Sequence, residues 1–108
     1  MLKLETNEGE AWVDSGLVEC VRKTGDARCE VYVSVGTCPP IAARMATEEL
    51  MALLDASEFV EAGELRLRKG VVAVVSANPS SDGSIIGLNS GEVFSSFSPA
   101  EVVALLEA

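Results

Sequence analysis

Apolar and polar residues alternate along this chain in short stretches, far more often with a period of two than with the period of a helix. Leu2 and Leu4 alternate with Lys3 and Glu5, the pattern of a strand with one buried face. Asn7-Glu8-Gly9 supplies turn chemistry, Glu10 to Asp14 returns as a strand, and Ser15-Gly16 turns again. Leu17 to Lys23 follows, closed by Thr24-Gly25-Asp26. Cys29 to Val35 then places Val31, Val33 and Val35 on one side. Gly36 and Pro39-Pro40 interrupt the pattern before a short strand over Ile41 to Arg44. In the second half, Gly63 separates Phe59-Val60 from Leu65-Arg66-Leu67, and Lys69-Gly70 leads into Val71 to Val75. The unbroken apolar character of that run predicts a strand buried on both faces. Asn78 to Gly83 is a turn-rich loop, and Ser84 to Leu88 pairs with Glu92 to Ser95 around Asn89-Ser90-Gly91.

Two segments change to helical spacing. Ser98-Pro99-Ala100-Glu101 is a capping box with proline at the first helical position, ahead of Val102, Val103, Leu105 and Leu106. Thr47-Glu48-Glu49 caps the other helix, with carboxylates at the positive end of its dipole and Leu50, Leu53 and Leu54 as its apolar face. Helices of about ten residues are marginal alone and must lie on a sheet.

Shifting the chain by 54 residues superimposes the early strands of the two halves: Gly9-Glu10 on Gly63-Glu64, Gly16 on Gly70, Val18 on Val72, Val21 on Val75. Beyond one loop deletion, a shift of 53 aligns Tyr32-Val33 with Ile85-Ile86, Glu48 with Glu101 and Leu53 with Leu106. The prediction is an α+β fold in one domain, 1–108. It would hold two tandem pseudo-symmetric repeats, 1–56 and 57–108, each an antiparallel meander of four to five strands followed by one short helix.

Composition narrows the function. Of the 108 residues 48% are hydrophobic but only 5% aromatic, so Val, Leu, Ile and Ala fill the core. The longest apolar runs fall far short of the roughly 20 residues of a membrane span. Glu5 follows the start at once, so no secretory segment is read and a cytoplasmic protein is expected. The net charge of −9 is spread evenly: residues 1–56 hold five basic and ten acidic side chains, residues 57–108 three and seven. Nucleic-acid binding draws on Lys and Arg to neutralise phosphates, and this balance opposes it.

The chain has no histidine, which removes the usual Ser-His and Cys-His nucleophile systems, and no glycine-rich phosphate loop opens either helix. No enzyme and no cofactor are predicted. Cys20, Cys29 and Cys38 recur every nine residues, but without histidine or close pairing they read as small apolar residues rather than zinc ligands. Cys38, before Pro39-Pro40, has no cation beside it in sequence to activate its thiol. Arg66 and Arg68 alternate with Leu65 and Leu67 and share a strand face. With Lys69 and the single tryptophan, Trp12, aligned to Arg66 in the repeat, they form a candidate platform for single-stranded nucleic acid. Asn78, Ser80, Asp82 and Asn89 are candidates for a small polar pocket, against the simpler reading that they make turns.

Two family resemblances attach to these residues. Each half is similar to short bacterial flagellar proteins of the FlbD type. The first half carries this in Met1-Leu2-Lys3-Leu4, Gly9, Val13, Leu17-Val18, Val21, Val33, Val35 and Glu48-Glu49-Leu50. The second carries it in Val71-Val72, Val75, Ile86, Leu88, Gly91 and Ser98 to Val102. The duplicated strands-then-helix order resembles the Whirly, PUR and PC4-type domains that bind single-stranded nucleic acid, with Arg68-Lys69-Gly70 in the place of their basic-glycine turns. The leading reading is a non-catalytic protein-interaction module, an adaptor or a small acidic inhibitor of the kind phages make. It would have a protein partner, and unpaired sheet edges would favour a homodimer. The alternatives are a single-stranded nucleic-acid binder of Whirly/PUR-like architecture and a protein that binds or sequesters a small molecule.

Overall fold

The computed structural model describes residues 1–35 and 39–108; the Cys38 reading lies outside them. Ten strands and two helices follow one another: β1 (Leu2–Thr6), β2 (Gly9–Val13), β3 (Val18–Gly25), β4 (Arg28–Val33), β5 (Ile41–Ala43), α1 (Thr47–Leu53), β6 (Phe59–Ala62), β7 (Leu65–Arg68), β8 (Val74–Ala77), β9 (Ser84–Leu88), β10 (Gly91–Ser95) and α2 (Pro99–Glu107). The fold is α+β, and every strand pairing among the described residues is antiparallel. Among the described residues no helix is long and apolar enough to cross a membrane.

The strands form three sheets: β1-β2, a central five-stranded sheet in the order β5-β4-β3-β7-β6, and β10-β9-β8. This corrects the expected arrangement. The order of elements is the same in both halves, but neither half is a meander of its own. The β6-β7 hairpin leaves its half and pairs β7 with β3, setting Leu67 opposite Cys20 and Leu65 opposite Arg22. The β1-β2 hairpin stays a separate sheet.

The two faces of the central sheet carry separate cores. One gathers Leu2, Leu4, Val21, Val31, Leu50 and Phe59, among others, beneath β1-β2 and α1. The other gathers Cys20, Leu65, Leu67, Ile86, Val93 and Val102 against the three-stranded sheet and α2. The register explains the division: Cys20 and Leu67 are cross-strand partners on the second face, so Val21 and Arg66 fall on the first. An irregularity between Val18 and Cys20 inserts Glu19, whose side chain is 1% exposed. Its Oε1 accepts the Ser90 N–H at 2.8 Å, joining the central sheet to the β9-β10 turn.

Three local expectations are corrected. Val71 to Val75 is not a doubly buried strand. Lys69–Val71 is a turn of 3₁₀ helix, and β8 is an edge strand with Val74 56% exposed. Thr47 does not cap α1: Ala46 stands at the cap, and the Thr47 hydroxyl is buried without a partner. Leu53 is exposed, while Leu50 and Leu54 are buried. The α2 start is as read. Ser98 Oγ accepts the Glu101 N–H at 3.3 Å, and Glu101 Oε1 accepts the Ser98 N–H at 3.0 Å. Those bonds hold the Glu101 carboxyl below its ordinary pKa.

Candidate functional site

The residues singled out in the sequence do not gather into one site. Arg66 and Arg68 do share a face of β7, but both guanidinium groups are engaged within the fold. Arg68 Nε donates to Val18 O at 2.7 Å, and Nη2 donates to Ser15 O at 2.8 Å. Nη1 bonds Glu58, and the group stacks 4.7 Å from the centre of the Phe59 ring. Its side chain is 14% exposed, so it fastens the β6-β7 hairpin to the start of β3. Arg66 donates to Gly63 O at 3.3 Å and lies 3.6 Å from Glu61, its cross-strand partner. Trp12 is 59% exposed, but it belongs to the β1-β2 sheet. Its partner Lys3 is bound to Glu10 at 3.2 Å and Glu5 at 3.6 Å, which raises the pKa of the ammonium. Lys69 is exposed at the end of β7. The polar pocket is likewise dispersed: Asn78, Ser80 and Asp82 sit in the β8-β9 loop, where Asn78 Oδ1 accepts the Ser80 N–H. Asn89 lies at the far end of β9.

A different pair of cations is brought together by strand pairing. Arg28 and Arg44 are both exposed, and among the described residues neither is in an ion pair. The β3-β4 hairpin sets Lys23 opposite Cys29, so Lys23 shares the Cys29 face and Arg28 falls on the other. The β4-β5 pairing sets Cys29 opposite Ala43, which brings Arg44 alongside Arg28. A depression of about 140 Å³ opens there, lined by Asn7, Thr24, Arg28, Glu30 and Arg44. Glu30 is already committed, accepting from Arg22 Nε at 2.9 Å and Nη2 at 2.8 Å; this contact raises the Arg22 pKa. Asp26 in the turn and Glu64 beside Lys23 are the neighbouring acids. The backbone fixes the assembly: Arg44 N donates to Glu5 O at 2.7 Å and Lys23 N to Glu64 O at 2.9 Å.

No family model matches the chain, and no curated protein matches it. A solved structure does. The chain is similar to the LytTr DNA-binding domain of a Bacillus cereus protein described as a methyl-accepting/DNA response regulator. The TM-score is 0.67 at 16% identity, with 99% of this chain and 95% of that one covered. At that identity the likeness establishes the fold, which is LytTr-like.

This overturns the resemblances to FlbD-type flagellar proteins and to Whirly, PUR and PC4-type domains. Those rested on a strands-then-helix order that three differently paired sheets can share. It also displaces the reading as a protein-docking adaptor or inhibitor, with the protein partner and homodimer attached to it. The edge argument behind that reading also weakens at the central sheet, whose outer strands β5 and β6 have only three and four residues. The Arg28 and Arg44 pair went unread because its members are sixteen positions apart in sequence and neither stands in a basic run. The signal available was hairpin arithmetic: a β5 returning beside β4 brings Arg44, just past its end, alongside Arg28 at the start of β4.

Proposed function

We propose that this chain is a non-catalytic nucleic-acid-binding domain that grips phosphates with Arg28 and Arg44. The observation that carries the reading is that Arg28 and Arg44 line one depression and, among the described residues, neither is in an ion pair, on a fold shared with a DNA-binding domain. The Arg66 and Arg68 guanidinium groups are occupied and contribute structure rather than contact. The protein's overall charge of −9 repels a polyanion everywhere else, which orients the domain with this end toward the strand and keeps binding weak. A dissociation constant no tighter than about 10⁻⁶ M is expected at physiological salt, as for nonspecific binding.

Fluorescence anisotropy with labelled single-stranded and duplex oligonucleotides tests this. Two phosphate contacts give a slope of log K against log salt of about −1.4 to −1.8. Affinity therefore falls some 7- to 12-fold between about 50 and 200 mM salt. Arg28→Glu with Arg44→Glu abolishes binding, whereas Lys69→Glu leaves it nearly intact. No binding to any oligonucleotide at low salt, or equal loss in the Lys69 variant, defeats the reading.

A further inference from the structure

A second and larger concavity adjoins the basic depression. It has a volume of about 510 Å³, with Pro39, Pro40 and Ile41 contributing apolar surface and Asn7, Glu8 and Glu10 polar groups. That volume lies within the range of small-ligand sites, of order 300–1,000 Å³. Asn7 and Ala42 line both concavities, which therefore adjoin. A nucleotide whose phosphate rests between Arg28 and Arg44 has a place beside it for its base.

Most polar groups of the groove are already committed. Thr6 Oγ1 donates to Gly9 O at 2.7 Å and accepts the Glu8 N–H at 3.1 Å, which fixes the β1-β2 turn. Gly9 has φ 110°, in the left-handed region that glycine serves. Glu10 holds Lys3. Among the described residues, the Glu8 carboxylate and the Asn7 amide have no side-chain partner. An acceptor-only carboxylate next to apolar surface discriminates between base edges. The Watson–Crick edge of guanine presents two parallel N–H donors, matched to two carboxylate oxygens. Cytosine and adenine offer one donor beside an acceptor, and thymine offers one donor between two acceptors. In a duplex this guanine edge is covered by cytosine, so the base must be unpaired.

We propose that the groove receives an unpaired guanine of the strand held at the basic depression, with Glu8 reading its N–H edge and Pro39 and Pro40 lying against the base. The inference rests on the nucleic-acid reading above. Anisotropy with a labelled oligothymidylate carrying one central dG, dI or dT tests it, dI lacking the 2-amino group. The dG strand binds about tenfold tighter than the dT strand, and dI loses most of that gain. Glu8→Gln removes the preference. Glu92→Gln, on β10, retains it. Equal affinity for the three strands, or a preference that survives Glu8→Gln, overturns the inference. Binding confined to duplex overturns it while leaving the nucleic-acid reading in place, and absence of all binding at low salt removes both.

Discussion

Strands β3 and β8 come from matching positions of the two halves and end in opposite situations. The shift that aligns the halves sets Cys20 on Val74 and Val21 on Val75, apolar against apolar. Cys20 and Val21 are wholly buried at the centre of the five-stranded sheet, whereas Val74 is 56% exposed and Val75 half-buried on an edge. The residues do not account for the difference; the neighbours do. β3 has β4 on one side and the β6-β7 hairpin on the other, while β8 has only β9. Burial of a strand is thus decided by whether a hairpin docks against it, and an apolar run by itself does not tell a central strand from an edge one.

The comparison breaks most severely if the docked hairpin is loosened. Leu67 is fully buried opposite Cys20, so Leu67→Ala removes packing at the seam between β3 and β7. A loss of about 2–5 kcal/mol is expected, read as a fall in Tm of more than about 10 °C. Val74→Ala on β8 changes stability by no more than about 0.5 kcal/mol. Comparable losses at the two positions in thermal denaturation would refute the asymmetry.

The same distinction marks what was legible in the sequence. Local signals placed every strand but β8 within a residue or two, and the Ser98 capping box fixed the start of α2. These depend on neighbours a few residues away, where side-chain alternation and cap chemistry act. The pairing of β7 with β3 joins segments more than forty residues apart, and no turn or period encodes it. From that one non-local choice follow the misjudged burial of Val71 to Val75 and the misassigned arginines. Arg66 and Arg68 looked like an exposed basic face because the strand was read without its neighbours. Docked on β3, their guanidinium groups found backbone carbonyls. The basic end was hidden for the complementary reason, since Arg28 and Arg44 meet only once β5 pairs with β4.

Arg68 sharpens the comparison at a single residue. It holds two carbonyls at the entry to β3, and none of the groups it bonds has a counterpart contact at β8 among the described residues. Arg68→Ala removes the guanidinium donor from Val18 O, while Ser15 O keeps the Val18 N–H, at a cost of about 2 kcal/mol in urea denaturation. The exposed Glu58 contact contributes little of that. Lys at this position recovers only a small part, because one ammonium cannot serve two carbonyls and the Phe59 ring together. Unchanged stability in Arg68→Ala would show that the hairpin docks through Leu65 and Leu67 alone. Nucleic-acid affinity is expected to stay unchanged in Arg68→Lys, which separates this structural arginine from Arg28 and Arg44.

The smallest effect, invisible at neutral pH, lies in the thiol of Cys20. Burial pushes its pKa up to about 12, whereas an exposed thiol titrates near 8.5. The folded thiol therefore keeps its proton where the unfolded one has lost it. This contribution to stability is complete below about pH 8.5 and is lost as pH rises through the folded value. The urea midpoint should decline between about pH 9 and 11, and Cys20→Val should flatten part of that decline while leaving the midpoint at pH 7 nearly unmoved. Labelling with a thiol reagent makes the same comparison kinetically. In a Cys38→Ser background, Cys20 and the buried Cys29 react only as the protein unfolds. Val74→Cys, one strand position equivalent to Cys20, reacts at the rate of an open thiol. Matching rates at positions 20 and 74 would mean that β3 opens as readily as an edge strand, and that the β6-β7 hairpin is not what closes it.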